Sequence, residues 1–235
     1  MKQISANFNP IIIIMVKTPR PGQVKTRLRP VLTDSQCVAL ATCFLRDTVG
    51  KALNLLPRVI VAFSPSDGRN EIAKLLPDNT ILLEQEGNNL GERMSAAFSF
   101  AQEKGFSPIL TIGADSPTLP PDYIKATLAL FQKVATKTVL GKAQDGGYYL
   151  IGLRQAERGI FANVEWSSAQ VFAQTAANAR RIYSCAPEIL PVWYDVDTPA
   201  DLAFLYREFL ENKDFAATAP ETALWFKQNN PTCFV

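Results

Sequence analysis

The segment from Lys17 to Pro30, "KTPRPGQVKTRLRP", contains five cationic side chains, three prolines, one glycine and no acid, and it directly follows the apolar run "IIIIMV". The formal charge of the whole chain is only +2, so this segment is far more basic than its surroundings. A glycine-containing loop between a strand and a helix can present backbone N–H groups and Lys or Arg side chains to a polyphosphate. It matches neither familiar phosphate-loop motif. We expect it to bind an anionic ligand; the alternative is a solvated basic loop.

Aspartates follow two further apolar runs. Asp115 lies in "GADSPTLP", directly after "ILTIG", and Asp195 and Asp197 lie in "YDVDTPADL". In an extended segment, side chains at i and i+2 point to the same side, where two carboxylates repel unless a cation lies between them. Mg²⁺ and Mn²⁺ prefer such oxygens and keep waters and substrate phosphates as further ligands. The pattern predicts a divalent-metal site, and the alternative is that Asp115 and Asp197 serve a turn and a helix start.

A fourth polar segment, "QDGGYYLIGL", places two glycines before a predicted strand. Gly146 and Gly147 permit close approach of a ligand to the backbone, and Gln144 and Asp145 could bind hydroxyl groups. A plain β-turn before a strand explains the same residues. The segment alone therefore leaves a binding role and a turn role open.

Several classes of function are excluded by composition. The chain has no histidine, which excludes a Ser-His-Asp triad, a Cys-His pair and a His-ligated metal. Its four cysteines lack CxxC spacing, so neither a zinc site nor a disulfide framework is indicated. The near-neutral charge argues against nucleic-acid or membrane-surface binding, and no apolar run suits a signal peptide or a membrane span. These features predict a cytoplasmic protein with no nucleic-acid or membrane partner.

Short β-rich runs alternate with longer helical patterns along the chain. Strands are predicted over 11–16, 58–63, 80–83, 109–113, 138–141, 148–152 and 190–193, and helices over 34–55, 70–76, 90–104, 122–131, 168–179 and 199–210. This alternation predicts an α/β fold with right-handed βαβ units and a largely parallel sheet. We predict one main domain over 1–212 and a C-terminal helical extension over 213–235.

Ligands of such sheets bind beyond the carboxyl ends of the strands, where the four polar segments lie. A basic loop after the first strand and aspartates after later strands form one coherent set. Lys and Arg would neutralise a nucleoside triphosphate, while Asp-bound Mg²⁺ would bridge its phosphates to a second substrate. Phosphoryl-type transfer needs positioning and charge neutralisation more than a covalent nucleophile, so the lack of histidine is no obstacle.

Six motifs in order resemble a known family: "PRPGQVKTRL", "NNLGERM", "GADSPTL", "DGGYYLIGL", "VEWSS" and "DVDTPADL". They are similar to the transferases labelled rSAM/selenodomain-associated transferase 1, which are relatives of the phospholactate guanylyltransferases and, more distantly, of the molybdenum-cofactor guanylyltransferases. The resemblance covers about residues 10–210. It implies a GT-A type nucleotide-diphospho-sugar transferase fold, in which helices flank a mixed, mainly parallel sheet.

The resemblance also implies roles for individual residues. It implies catalytic roles for Lys25, Arg27 and Asp115 and a metal site at Asp115, Asp195 and Asp197. Nucleotide binding is implied for Lys17, Gly22, Lys25, Thr26, Arg27, Asn89, Leu90, Gly91 and Arg93. Acceptor binding is implied for Asp145, Gly146, Gly147, Tyr148, Trp166, Ser167 and Ser168, the two serines being suited to an anion at a helix N-terminus. Many relatives have Trp-Gly-Thr where this chain has Trp166, Ser167 and Ser168, and typical nucleotidyltransferases have a Gly-Gly-x-Gly run that the opening loop lacks.

The expected function is therefore a Mg²⁺- or Mn²⁺-dependent nucleotidyltransferase that transfers a nucleoside monophosphate from a triphosphate to a small anionic acceptor. One alternative is a glycosyltransferase that uses a nucleotide sugar with the same fold and metal site. Another is a nucleotide-binding protein without catalytic activity. The expected partners are a nucleotide or nucleotide sugar and a small-molecule acceptor.

Overall fold

The computed structural model of the chain describes residues 8–229, without the side chain of residue 213. Seven strands form one sheet in the order β3-β2-β1-β4-β6-β5-β7. They are β1 (Ile11–Lys17), β2 (Val59–Ser64), β3 (Thr80–Glu84), β4 (Ile109–Gly113), β5 (Thr138–Ala143), β6 (Tyr148–Leu153) and β7 (Glu188–Trp193). Strand β6 is antiparallel to both of its neighbours, and the other pairings are parallel. The predicted mixed, mainly parallel α/β fold is confirmed.

Eight α-helices lie within the described residues 8–229. They are α1 (Asp34–Leu53), α2 (Arg69–Ala73), α3 (Leu90–Glu103), α4 (Pro121–Phe131), α5 (Val171–Tyr183), α6 (Pro199–Glu211), α7 (Lys213–Thr218) and α8 (Pro220–Asn229). Single 3₁₀ turns occupy Thr26–Leu28, Ser66–Gly68 and Arg158–Phe161. Within residues 8–229, no helix is long and apolar enough to cross a lipid bilayer.

The first strand shows how the core is divided between the two faces of the sheet. Ile12 and Ile14 pack toward helices α1 and α4, whereas Ile11 and Ile13 pack toward helices α3 and α5. All four are completely buried, as expected for a central strand covered on both faces. The apolar run "IIII" therefore belongs to two separate core layers.

A third apolar cluster joins the two ends of the chain. Phe44 of α1 packs with Leu202 of α6 and with Trp225 and Phe226 of α8. The C-terminal helices thus share buried surface with the sheet-bearing part of the chain. The predicted boundary between two units at residue 212 stays a prediction. Residues 1–7 of the first unit and 230–235 of the second lie outside the described residues.

Candidate active site

A cavity of about 590 Å³ opens at the carboxyl ends of β1, β2 and β4, a size within the usual range for small-ligand sites. In parallel α/β sheets this edge is where ligands bind. The lining combines four groups of residues: the end of β1, the basic loop, the first turn of α3 and the acids after β4 and β7. The lining residues used below are Lys17, Lys25, Thr26, Arg27, Ser64, Gln85, Leu90, Arg93, Asp115 and Asp197.

Lys25 is the central cation of this cavity. Its side chain is only 5% exposed, and its Nζ lies 2.5 Å from Asp115 Oδ1 and 3.4 Å from Asp197 Oδ1. The same ammonium donates a hydrogen bond of 2.7 Å to the carbonyl of Val196. Burial alone would lower the pKa of Lys25, but the nearby carboxylates outweigh burial and the net shift is upward. Lys25 is therefore a charged group that holds the loops after β4 and β7 together.

The other cations of the basic loop have separate roles. Arg20 pairs with Asp67 and Glu71 at 2.9 and 2.6 Å, and Arg29 pairs with Asp34 at 2.8 Å. These pairs tie the loop to neighbouring elements outside the cavity, so distant acids compensate a segment that has none of its own. Gly22 lies outside the cavity lining and adopts a left-handed φ of 73°, which gives it a turn role.

The cations that remain available to a ligand are Lys17 and Arg27. Arg27 is 76% exposed and reaches Asp197 only at 4.0 Å, and Lys17 is exposed at the end of β1. Both line the cavity, as does Thr26. The basic segment thus divides into structural arginines and a smaller group that faces the cavity.

The three predicted metal-binding aspartates differ in availability. Asp115 and Asp197 are about half-exposed and line the cavity, whereas Asp195 is largely buried and accepts a hydrogen bond from Ser116 Oγ. Burial raises the pKa of Asp195 to about 6; Ser116 opposes this shift, and the nearby carboxylates, including that of Asp145, add to it. The structure brings Asp115 and Asp197 to one end of the cavity, and Asp195 lies near them but outside the lining.

A divalent cation would fit Asp115 and Asp197 best. Within the described residues, no group of three or more Asp, Glu, His or Cys side chains is already arranged around a metal position. The ammonium of Lys25 contacts Oδ1 of each half-exposed carboxylate, so the second oxygen of each is the one that would bind a metal ion. Two available carboxylates, completed by waters and phosphate oxygens, are a typical ligand set for Mg²⁺ or Mn²⁺.

Lys51 of α1 anchors the loop that carries Asp115, a role that the sequence did not indicate. Lys51 is 6% exposed, and its Nζ donates hydrogen bonds of 2.7 Å to the carbonyls of Pro117 and Leu119. Burial lowers the pKa of Lys51 to about 7, against an opposing effect of Asp47 one helical turn earlier. A lysine within an amphipathic helix gives no sequence signal that it points inward, so only its contacts reveal the role.

The predicted ligand-binding residues at the start of α3 have two different functions, capping of the helix and lining of the cavity. Asn89 caps the helix: its Oδ1 accepts from the Glu92 N–H at 3.0 Å and its Nδ2 donates to the Glu92 carboxylate at 2.8 Å. Leu90 and Arg93 line the cavity, and Arg93 Nε donates to the carbonyl of Gly87 at 3.0 Å. Leu90 is 45% exposed, a large apolar surface beside a polar cavity.

Gly91 has a packing role of its own. A Cβ at Gly91 would lie 2.6 Å from the indole of Trp166, which is too close for any side chain. Trp166 lines a second cavity of about 580 Å³, which other residues at the start of α3 also line. The motifs "NNLGERM" and "VEWSS" therefore meet in space, but Gly91 and Trp166 do not line the first cavity.

The remaining predicted acceptor residues form a compact turn beside α5. Asp145 Oδ1 accepts from the Gly147 N–H at 2.8 Å, and Gly146 has a φ of 93°. A Cβ at Gly146 would lie 2.4 Å from the carbonyl oxygen of Ala169. Both glycines therefore have turn roles in this structure. Tyr148 points its hydroxyl to the sulfur of Met94.

The predicted helix start at Ser168 is wrong, because α5 begins at Val171. Ser168 Oγ donates to the carbonyl of Glu165 at 2.7 Å and accepts from the Gln170 N–H at 3.2 Å, while Ser167 adopts a left-handed φ of 68°. The serines form a turn ahead of the helix. They do not lie at its N-terminus, where anion binding was expected.

The fold and this cavity define a nucleotide-diphospho-sugar transferase fold. Residues 50–168, about half of the chain, match the family described as uncharacterised protein conserved in bacteria, DUF2064. The chain belongs to this family. No curated protein sequence matches it.

Solved structures show the same architecture. A protein from Desulfovibrio desulfuricans G20, provisionally described as a nucleotide-diphospho-sugar transferase, is 30% identical with a TM-score of 0.86, over 95% of this chain and 96% of that one. CMP:2-keto-3-deoxy-manno-octonic acid synthetase in complex with CTP is 11% identical with a TM-score of 0.54, over 86% and 99%. Rv0371c from Mycobacterium tuberculosis H37Rv in complex with manganese is 15% identical with a TM-score of 0.50, over 88% and 100%. The last two share the fold.

Proposed function

We propose that this protein is a divalent-metal-dependent nucleotidyltransferase, which transfers a nucleoside monophosphate from a nucleoside triphosphate to a small anionic acceptor. The observation that carries the proposal is the pair of half-exposed carboxylates, Asp115 and Asp197, at one end of a cavity that Lys17 and Arg27 also line. Names of structures with this fold are consistent with nucleotide chemistry, including a synthetase in complex with CTP.

The residues of the cavity divide the work of the transfer. Arg27 and Lys17 bind the anionic triphosphate, and Asp115 and Asp197 hold the divalent cation, Mg²⁺ or Mn²⁺, which supplies charge neutralisation when bound. An oxygen of the acceptor forms a bond to the α-phosphorus, the bond from that phosphorus to the bridging oxygen breaks, and pyrophosphate leaves. An acceptor phosphate or carboxylate is already an anionic nucleophile, so no histidine base is needed. Lys25 maintains the geometry of the two acidic loops.

Glycosyl transfer from a nucleotide sugar is the second candidate. It is favoured by the description of the Desulfovibrio desulfuricans relative, which names a nucleotide-diphospho-sugar transferase. Both reactions would use the same carboxylates and the same cavity. Only nucleotidyl transfer releases pyrophosphate, so a coupled pyrophosphate assay and mass analysis of products separate the two.

A cytoplasmic location and the lack of nucleic-acid or membrane partners are further proposals from composition.

The proposal is tested by nucleotide binding with and without Mg²⁺. A thermal-shift panel of nucleoside triphosphates and nucleotide sugars should raise the melting temperature of the wild type when Mg²⁺ is present, because a ligand that binds only the folded state stabilises it. Asp115→Asn and Asp197→Asn should each remove the Mg²⁺-dependent part of the shift. Asp122→Asn is the matched control, since Asp122 is an exposed carboxylate on α4 that pairs with Lys125.

Three outcomes would count against the proposal. The first is a wild type that no nucleotide stabilises under any metal condition, which would also remove the non-catalytic binding alternative. The second is unchanged metal dependence in both variants, which would reduce the aspartates to loop residues. Binding without turnover would favour the non-catalytic nucleotide-binding protein.

A further inference from the structure

Gln85 is held at the carboxyl ends of three strands. It follows β3, and its backbone N–H donates to the carbonyl of Phe63 at 2.9 Å. Its side-chain Nε2 donates to two carbonyls, those of Val16 at 3.1 Å and Ala62 at 2.7 Å. Both partners are acceptors, so the nitrogen of the amide must face them and the oxygen must face away. The orientation of this side chain is therefore determined by the backbone around it.

The oxygen that faces away is left for a ligand. Within the described part of the chain, no group donates a hydrogen bond to Gln85 Oε1, and this oxygen is not a buried atom without a partner. Gln85 lines the candidate active-site cavity. It thus presents a fixed hydrogen-bond acceptor there, a chemical feature that none of the Lys or Arg side chains around the cavity can supply.

The cavity has two chemically different ends. Lys25, Arg27 and the two available carboxylates mark the end suited to phosphates and metal. The remaining lining includes Gln85, Leu90 and Arg93, which combine one acceptor, one exposed apolar surface and one donor. A flat, apolar heterocycle with polar edges would cover Leu90 and use both polar groups. This set is therefore suited to a nucleobase.

We propose that Gln85 selects the nucleobase by accepting a hydrogen bond from its exocyclic amino group. This inference rests on the proposed nucleotide-binding function. Cytosine, adenine and guanine carry such an amino group. Uracil and hypoxanthine have a carbonyl oxygen in place of the amino group of cytosine and adenine, which would face Oε1 acceptor to acceptor, and hypoxanthine also lacks the guanine amino group. The substrate class is thus an amino-bearing nucleoside triphosphate.

The test uses three matched pairs of ligands, CTP against UTP, GTP against ITP and ATP against ITP, titrated calorimetrically with Mg²⁺. In the wild type, the amino-bearing member of the best-bound pair should bind at least about tenfold more tightly, since an acceptor left without its donor costs that much or more. Gln85→Met should bring the two affinities of that pair within about twofold of each other, by loss of the same hydrogen bond. Gln132→Met is the matched control, because Gln132 is an exposed glutamine at the end of α4 that does not line this cavity, and it should leave the ratio unchanged.

Each outcome decides the proposal. Equal affinities for both members of each pair in the wild type would overturn it without reference to any variant. An unchanged ratio in Gln85→Met, or an equal loss of both affinities, would show that Gln85 is only a link between strands. A wild type that binds none of the five ligands would refute the nucleotide-binding function itself. That result differs from a selective failure at Gln85.

Discussion

The buried ammonium of Lys51 predicts a specific dependence of stability on pH. Burial lowers its pKa from 10.5 to about 7 in the folded protein, whereas in the unfolded chain the side chain keeps its ordinary value. Between these two values the unfolded state binds more protons than the folded state, so the free energy of unfolding rises with pH. The rise begins near pH 7 and would end near the unfolded pKa.

The magnitude follows from the same shift. A fully developed linkage changes the free energy of unfolding by about 1.4 kcal/mol per pH unit, so Lys51 contributes a rise of about 1.5 kcal/mol between pH 7 and 8.5. Lys51→Met abolishes this rise and also removes the donors to the carbonyls of Pro117 and Leu119. The variant should be less stable than the wild type, and the gap should widen by that amount. Burial raises the pKa of Cys43 from 9.0 to about 11, so its own effect on stability begins near pH 9, above this window.

Urea unfolding at several pH values across this window measures the effect. Lys125→Met is the matched control, because Lys125 is an exposed lysine on α4 that pairs with Asp122. Its stability should run parallel to that of the wild type. A wild type and a Lys51→Met variant whose stabilities run parallel across the window would refute the reasoning, because Lys51 would then titrate alike in both states.

Three further predictions concern the loops around the site. Lys25→Met should lower the free energy of unfolding by about 1–3 kcal/mol, because the two carboxylates it separates lose their cation; urea unfolding would show no change if the pairing were unimportant. Gly146→Ala should cost about 1–3 kcal/mol, since the residue has a φ of 93° and no room for a Cβ, whereas Gly50→Ala, with open space around it, should be neutral or stabilising in the same assay. Arg27→Met should weaken triphosphate binding about tenfold or more in calorimetry, most strongly at low salt. Arg20→Met should lower the free energy of unfolding and leave the affinity unchanged. Equal affinities in the two variants would contradict the division of the basic loop into structural and ligand-binding arginines.

The fold could be predicted from the sequence because its signals are local. Each predicted strand overlaps an observed strand, and the run "IIII" is buried in full. The direction of β6 could not be predicted, since apolar runs show which segments are buried and not how they run relative to their neighbours. The start of α5 was misplaced for a related reason. Ser168 is a favourable cap by residue type, but its hydroxyl is engaged in the turn before the helix.

The candidate site shows the same division between local and distant information. Residue types and their positions after strands were enough to select Lys25, Asp115 and Asp197, which the structure brings within ion-pair distance. The partners of Arg20 lie about 50 residues away, so the sequence alone made the basic loop look uncompensated. Gln85 was missed because an amide has no charge and no motif.

The sequence by itself determined which segments form strands and helices, and which charged residues follow the strands. These properties depend on side-chain periodicity and on short stretches of backbone. Only the tertiary structure decided which charges neutralise one another, that Lys51 supports the loop of Asp115, and that Gln85 presents an acceptor to the cavity. Such contacts depend on the distance and orientation between segments far apart in the chain, and electrostatic and hydrogen-bond energies fall steeply with both.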